Sequence, residues 1–313
     1  MKDLKVIFMG TPDFSVNVLN GLIHYTNVIG VVTQPDKLVG RKQVLSQSPV
    51  KKVALENSIQ VIQPTKIRED YQNILDLKPD LIITCAYGQF LPKEILDYPK
   101  YGCINVHASL LPKLRGGAPI HRAIIEGYTT TGITIMHMGE KMDKGDIISQ
   151  RSIEIENIDN VGTLHDKLSV LGAELLIDTL PSIISGEAHR IVQNEEEVTF
   201  GYNISREDEK INFNQTKIEV YNQIRGLNPW PGAYSTIENK AIKIYEATIG
   251  EEIYKEKENG EIVKLYKDGI GIKVSDGEII LKVLQPSGSK RMHARDYLNG
   301  IKEKNSLMGK VFR

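Results

Sequence analysis

Apolar residues in the first half of the chain fall into short runs separated by longer stretches with helical spacing. The runs at residues 4–9, 28–33, 60–63, 81–85, 103–107 and 133–138 read as strands, and 147–155 continues as another. Segments 15–25, 49–56, 68–75, 93–96 and 119–126 read as helices or helical turns, and 163–184 as one long packed helix. Strands alternating with helices in this way predict βαβ units around a mostly parallel sheet. Beyond Gly186 the pattern changes: 194–198 is charged, 205–210 is polar, and one helix over 216–227 leads into strands at 233–237, 241–247, 261–266, 269–274 and 278–284. Asn-Lys, Asn-Gly and two Asp-Gly pairs separate those strands, as hairpins require. The expectation is an α/β, Rossmann-like domain over residues 1–204, followed over 205–313 by a small OB-like β-barrel.

A chain of 313 residues exceeds one ordinary core, which agrees with two domains. The net charge of −1 hides an asymmetry. Residues 1–204 carry 20 Lys and Arg against 24 Asp and Glu, while 205–313 carry 19 against 16. Residues 282–313 alone hold eight basic and two acidic side chains, a pattern suited to a polyanion. Cys85 and Cys103 each sit inside an apolar run and read as buried reduced thiols. The start of the chain opens directly into a strand and no continuous apolar run approaches 18 residues, so a cytoplasmic protein without a membrane span is expected. The scattered histidines lack metal-ligand spacing, so no metal is expected.

The chemistry concentrates in two segments. A strand over 103–107 puts Asn105 and His107 on one face, because side chains two apart point the same way. Ser109-Leu110-Leu111-Pro112 then ends the strand and leaves His107 at its carboxyl edge, where open α/β sheets place their ligands. About thirty residues on, Met142-Asp143-Lys144-Gly145-Asp146 supplies a carboxylate. An amide donor, an imidazole and a carboxylate suffice for acyl transfer without a protein nucleophile, since a substrate amine can attack by itself. The turn Met9-Gly10-Thr11-Pro12 lacks the second and third glycines of a dinucleotide loop, which disfavours a nucleotide cofactor.

Asn105, His107 with Ser109–Pro112, and Asp143 in its Met-Asp-Lys-Gly-Asp setting resemble the folate-dependent formyltransferases, and the likeness runs over essentially the whole chain. Within that superfamily the chain is most similar to the branch acting on methionyl-tRNA, and it is expected to be a monomer. The resemblance implies 10-formyltetrahydrofolate as formyl donor, and Asn105, His107 and Asp143 as catalytic residues. It also implies a folate pocket made by Tyr87, Gly88, Gln89, Phe90 and Leu91, by Ser109, Leu110, Leu111 and Pro112, and by Met138 and Gly139. Gly10 and Thr11 would line the substrate side. Arg115, in its glycine-rich loop, would hold the acceptor or order the loop. The insertion at residues 34–52 is too long for a routine connection. It is similar to the loop that grips the tRNA acceptor arm, with Arg41 and Lys42 at its tip, although Lys42 stands where a glycine is usual. Residues 284–300 look like the C-terminal signature of the tRNA branch and bring Lys290, Arg291 and Arg295 together. Trp230, between Pro229 and Pro231, is expected mainly to pack between domains. The rival readings are a formyltransferase for an amino-sugar nucleotide and a noncatalytic RNA-binding protein.

Overall fold

The computed structural model describes residues 1–39 and 43–313. They divide into two compact units: residues 1–119, 130–154 and 165–200 form one, and 120–129, 155–164 and 201–313 form the other.

The first unit is built on strands β1 (Lys5–Gly10), β2 (Asn27–Val32), β3 (Lys37–Val39), β4 (Val44–Ser46), β5 (Val61–Ile62), β6 (Leu81–Cys85), β7 (Cys103–His107), β8 (Thr130–His137) and β9 (Ile147–Glu154). Seven of them make one sheet in the order β5-β2-β1-β6-β7-β8-β9. It is parallel from β5 through β7, and β8 and β9 then alternate direction. The order reverses between β1 and β6, so the carboxyl ends of these strands and of neighbouring β7 open on the crevice where such sheets bind ligands. All five residues of β6 are buried, as a strand covered on both faces must be. Ile7, Met9, Ile82, Ile95 and Cys103 join Tyr87 and Leu91 in one core cluster. Each fully buried aliphatic side chain there contributes about 1.5–3 kcal/mol.

Two expectations change. The 34–52 insertion holds a two-stranded hairpin of β3 on β4, with Leu38 opposite Leu45. Three-residue runs are too short to show a period, so the sequence reads only as a loop. Its tip residues Arg41 and Lys42 lie outside the described residues. The helix expected over 68–75 is confined to Gln72–Leu75; ahead of it the Lys66 carbonyl closes a turn, accepting from Glu69 and Asp70 N–H. The long helix Val161–Ser185 is apolar enough by length and composition to cross a membrane. Leu168, Leu176, Leu180 and Ile183 are buried, however, and Ser169 Oγ donates to the Phe14 carbonyl at 2.7 Å, so this is a core helix.

The second unit contains β10 (Ala233–Ile237), β11 (Lys240–Ile249), β12 (Ile262–Tyr266), β13 (Gly269–Val274), β14 (Gly277–Pro286) and β15 (Met292–His293). The antiparallel order is β10-β11-β14-β13-β12, with β15 on β14. Glu238 and Asn239, at φ 49° and 63°, form the two-residue turn that joins β10 to β11. The last residues cover both outer strands: Ile262 N–H donates to the Lys310 carbonyl at 2.8 Å, and Arg313 exchanges hydrogen bonds with Thr236 at 2.8 and 2.9 Å. That pairing closes the sheet and removes its exposed edges. Helix Lys217–Gly226 begins on a capping box between Thr216 and Glu219 and buries Val220 and Ile224 against the barrel core. The same helix holds one of the outlying segments, 155–164, since Arg225 Nη1 donates to the Glu156 and Asp159 carbonyls at 3.1 and 2.8 Å.

Candidate active site

Strand β7 places Asn105 beside Thr84 of β6 and His107 beside Thr134 of β8. Ile104 and Val106 are buried on the opposite face, so the alternation expected of a strand fixes which side chains reach the site. Asn105 Oδ1 accepts from Thr84 Oγ1 at 2.8 Å. No described residue accepts from its Nδ2, so both amide hydrogens remain for a ligand.

His107 is 6% exposed and faces two acceptors. Nε2 lies 3.1 Å from the Leu114 carbonyl, and Nδ1 lies 3.6 Å from Asp143 Oδ1. A carbonyl only accepts, so Nε2 donates in this arrangement. At 3.6 Å the carboxylate is beyond normal hydrogen-bond reach, and it acts on the ring through its field. Leu114 and Asp143, the two residues against the ring nitrogens, both have left-handed backbone, at φ 58° and 50°. For a residue with a Cβ this costs about 1–2 kcal/mol, so surrounding bonds must hold it.

Those bonds come from residues 193–199. Gln193 Nε2 donates to the carbonyls of Asp143 and Gly145, each at 2.8 Å. Its Oε1 accepts from Arg115 Nε and Nη2 at 3.0 and 2.8 Å. Arg115, 4% exposed, also pairs with Glu195 at 3.0 Å. Hydrogen bonds from Arg115 and then Lys144 hold the Glu195 carboxyl below the usual range. Thr199 Oγ1 accepts from Leu114 N–H at 2.9 Å, and Asp143 Oδ2 accepts from Gly116 N–H at 2.8 Å. The Arg115 guanidinium is thus engaged by Gln193 and Glu195 within the protein. Gly145 is fixed by space, because a Cβ there would stand 1.7 Å from the His137 carbonyl oxygen.

The Ser109–Pro112 turn is tied to β8 and β9. Thr134 Oγ1 donates to the Ser109 carbonyl at 2.6 Å, and Gln150 Nε2 donates to the Leu111 carbonyl at 2.9 Å. Leu111 is buried, while Leu110 and Pro112 are half-buried. In the 86–92 loop the side chains divide. Tyr87 and Leu91 belong to the core, and the Tyr87 hydroxyl is buried without a partner, which drives it above the ordinary phenol range. The Tyr87 carbonyl accepts from Gln34 Nε2 at 3.0 Å and Thr11 Oγ1 at 3.4 Å, so Thr11 braces the loop. Gln89 Oε1 accepts from Ile67 N–H at 2.9 Å. Gly88 and Phe90 are exposed, and a Cβ on Gly139 would meet nothing within 4 Å. Met138 Sδ sits 3.1 Å from Thr84 Oγ1. Gly10 allows a close approach, since a Cβ there would lie 2.9 Å from the Cys85 carbonyl oxygen. Both cysteines are buried, and burial pushes each thiol up to about 12, which leaves them inert.

In the second unit Lys290 and Arg291 are exposed without a carboxylate partner among the described residues, whereas Arg295 pairs with Asp296 at 3.4 Å. Trp230 is 43% exposed and meets His121 edge to face at 6.4 Å. No cluster of three His, Cys, Asp or Glu that could hold a metal occurs among the described residues. Thr84, Gln193 and Thr199 were missed as site residues. Thr84 left a trace as a polar residue within an apolar strand, while Gln193 and Thr199 left none.

Comparison with known proteins adds to this geometry. Residues 4–180 match the formyl transferase family and 203–302 match the formyl transferase C-terminal domain. The methionyl-tRNA formyltransferase of Staphylococcus aureus (strain MW2) is 54% identical over 309 residues, 98% of each chain. That of Bacillus cereus (strain AH187) is 56% identical over 306 residues, 96% of each. The crystal structure of a Helicobacter canadensis N-formyltransferase, in complex with folinic acid and dTDP-3-aminofucose, superposes with a TM-score of 0.66 at 22% identity. That superposition covers 90% of this chain and 99% of the other, and it supports the fold. An amide, imidazole and carboxylate at the mouth of a mostly parallel sheet, joined to near-full-length identity above one half, place this chain in the methionyl-tRNA formyltransferase family.

Proposed function

We propose that this chain transfers the formyl group of 10-formyltetrahydrofolate to the α-amine of methionyl-tRNA, giving the formylated form used to start translation. The carrying observation is the constellation on β7: an amide with both hydrogens unengaged, two residues from an imidazole that faces a fixed carboxylate. The exposed main chain at Gly88, the Phe90 ring and the open space over Gly139 suit a flat pterin, and the Ser109–Pro112 turn supplies the neighbouring wall. When bound there, the donor provides the formyl group.

The amine attacks unprotonated, and an α-amine with a pKa of about 8 is partly so near neutral pH. Its nitrogen bonds to the formyl carbon as the bond from that carbon to the folate nitrogen breaks, and the amine proton ends on that nitrogen. Asn105 Nδ2 donates to the formyl oxygen as negative charge develops there. His107 exchanges its Leu114 contact for the reacting groups, as donor or proton carrier, and the Asp143 carboxylate stabilises positive charge on the ring. Gly10 and Thr11 shape the substrate side, and Arg115 keeps the loop in place. The 1–204 region supplies the chemistry, and the barrel over 205–313 supplies affinity for tRNA through Lys290, Arg291 and, once freed from Asp296, Arg295. Arg41 and Lys42 add contacts from the insertion. The chain works as a cytoplasmic monomer.

The test is transfer of labelled formyl from the folate donor to methionyl-tRNA, with amino-sugar nucleotides offered in parallel. Label should enter the tRNA and not the sugars. His107→Ala should lower the catalytic rate by about 10²–10³ with folate binding retained. Near-normal turnover by that variant would remove the assignment of His107.

A further inference from the structure

Trp230 is the chain's only tryptophan, and its partial exposure would mean little by itself. Its mounting is what sets it apart. The carbonyl before it, on Pro229, accepts from Arg291 Nη2 at 3.4 Å, and the carbonyl after it, on Pro231, accepts from Lys243 Nζ at 2.6 Å. The Arg291 guanidinium lies 3.4 Å from the centroid of the buried Tyr245 ring. Tyr245 in turn donates to Gln285 Oε1 at 3.0 Å. Two cations thus clamp the turn that presents the indole, and neither has a carboxylate partner among the described residues. An ammonium has three donors and a guanidinium five, so both keep hydrogens for a further acceptor after binding these carbonyls.

We propose that Trp230, flanked by Arg291 and Lys243, is a stacking platform for an unpaired base of the tRNA, the indole taking the base face and the two cations the adjoining phosphates. This rests on the methionyl-tRNA reading above. An aromatic face beside unpaired positive charge is the combination that holds single-stranded nucleic acid, because every base has a π-face and every nucleotide carries a phosphate. Paired bases inside a duplex present no face to an indole, so the occupant is a single-stranded part of the tRNA. The indole meets His121 edge to face at 6.4 Å and stays 43% exposed on its braced turn.

A single tryptophan makes the test direct, because all indole emission comes from this position. Titration with deacylated initiator tRNA should quench that emission, while a blunt RNA duplex without unpaired nucleotides should bind without the quench. Trp230→Ala should weaken tRNA binding about tenfold, and Trp230→Phe should retain most of the affinity. Should the alanine variant fail to fold, the wild-type quench and the phenylalanine variant still decide. Tight, salt-dependent tRNA binding with unchanged emission and unchanged affinity in Trp230→Ala would overturn the platform and leave the tRNA reading standing. Absence of any tRNA binding by the wild-type chain would overturn both.

Discussion

Gln193 bridges two backbone carbonyls of the Asp143 loop and the buried Arg115 guanidinium. Nothing else described takes its place there, so Gln193→Ala strands buried polar groups at about 1–3 kcal/mol. It should also release the left-handed backbone at Asp143. The expected outcome is a lowered melting temperature and a catalytic rate reduced at least about tenfold, with folate affinity little changed. Equal loss of folate affinity and rate would mean that the residue supports the whole pocket and not the carboxylate. At this scale the sequence was legible where chemistry and period coincide. Asn105 and His107 announce themselves because polar groups two apart on an apolar strand must share a face. Gln193 did not, because its partners are 48 to 78 residues away and mostly backbone, which no local pattern encodes.

Arg122 and Asp208 join helix Pro119–Ile125 to the capped turn at Arg206–Glu209 through a two-pronged pair, with distances of 3.0 and 2.7 Å. The hydrogen bond from Arg122 holds the Asp208 carboxyl below its ordinary value of 3.8, with burial opposing. A carboxyl depressed by folding stabilises the native state above its unfolded pKa, and that contribution is lost as pH falls through the folded one. Arg122→Gln should therefore cost about 1–2 kcal/mol at neutral pH, and the gap from wild type should narrow below about pH 4. Thermal melts of both proteins from pH 7 to pH 3 would check this, and a gap independent of pH would show that the side chain acts through packing alone. Element boundaries were legible where the pattern is long or punctuated. Strands β10 and β13 match their expected ranges because turn residues bracket them. The β3–β4 hairpin had no such signal, its strands being three residues each.

The charge asymmetry of the whole molecule could be counted from the sequence, but the interleaving of its two units could not. Segments 120–129 and 155–164 precede the barrel by tens of residues and yet belong to its unit. Ala123 and Ile124 are fully buried, and Ile125 packs against the barrel core cluster. The fit is close, since a Cβ on Gly226 would stand 2.6 Å from Ile125 Cγ1. Arg225 supplies the 155–164 segment with its bonds to two carbonyls. A cut near residue 205 therefore separates these two segments from the rest of their unit. The fragment 1–204 would expose this apolar surface at about 25 cal/mol per Å² and strand Arg122 without Asp208. It should melt well below the full chain and tend to aggregate, even though the Asn105, His107 and Asp143 elements lie within it. A second fragment of the same length carrying Ile124→Lys and Ile125→Glu should be more soluble than the plain fragment, because it removes the surface the barrel covers. Comparison of melting and sedimentation for the two fragments and the full chain decides the matter. A plain fragment as soluble and as heat-resistant as the full chain would mean that these segments contribute little to the cohesion of the barrel unit.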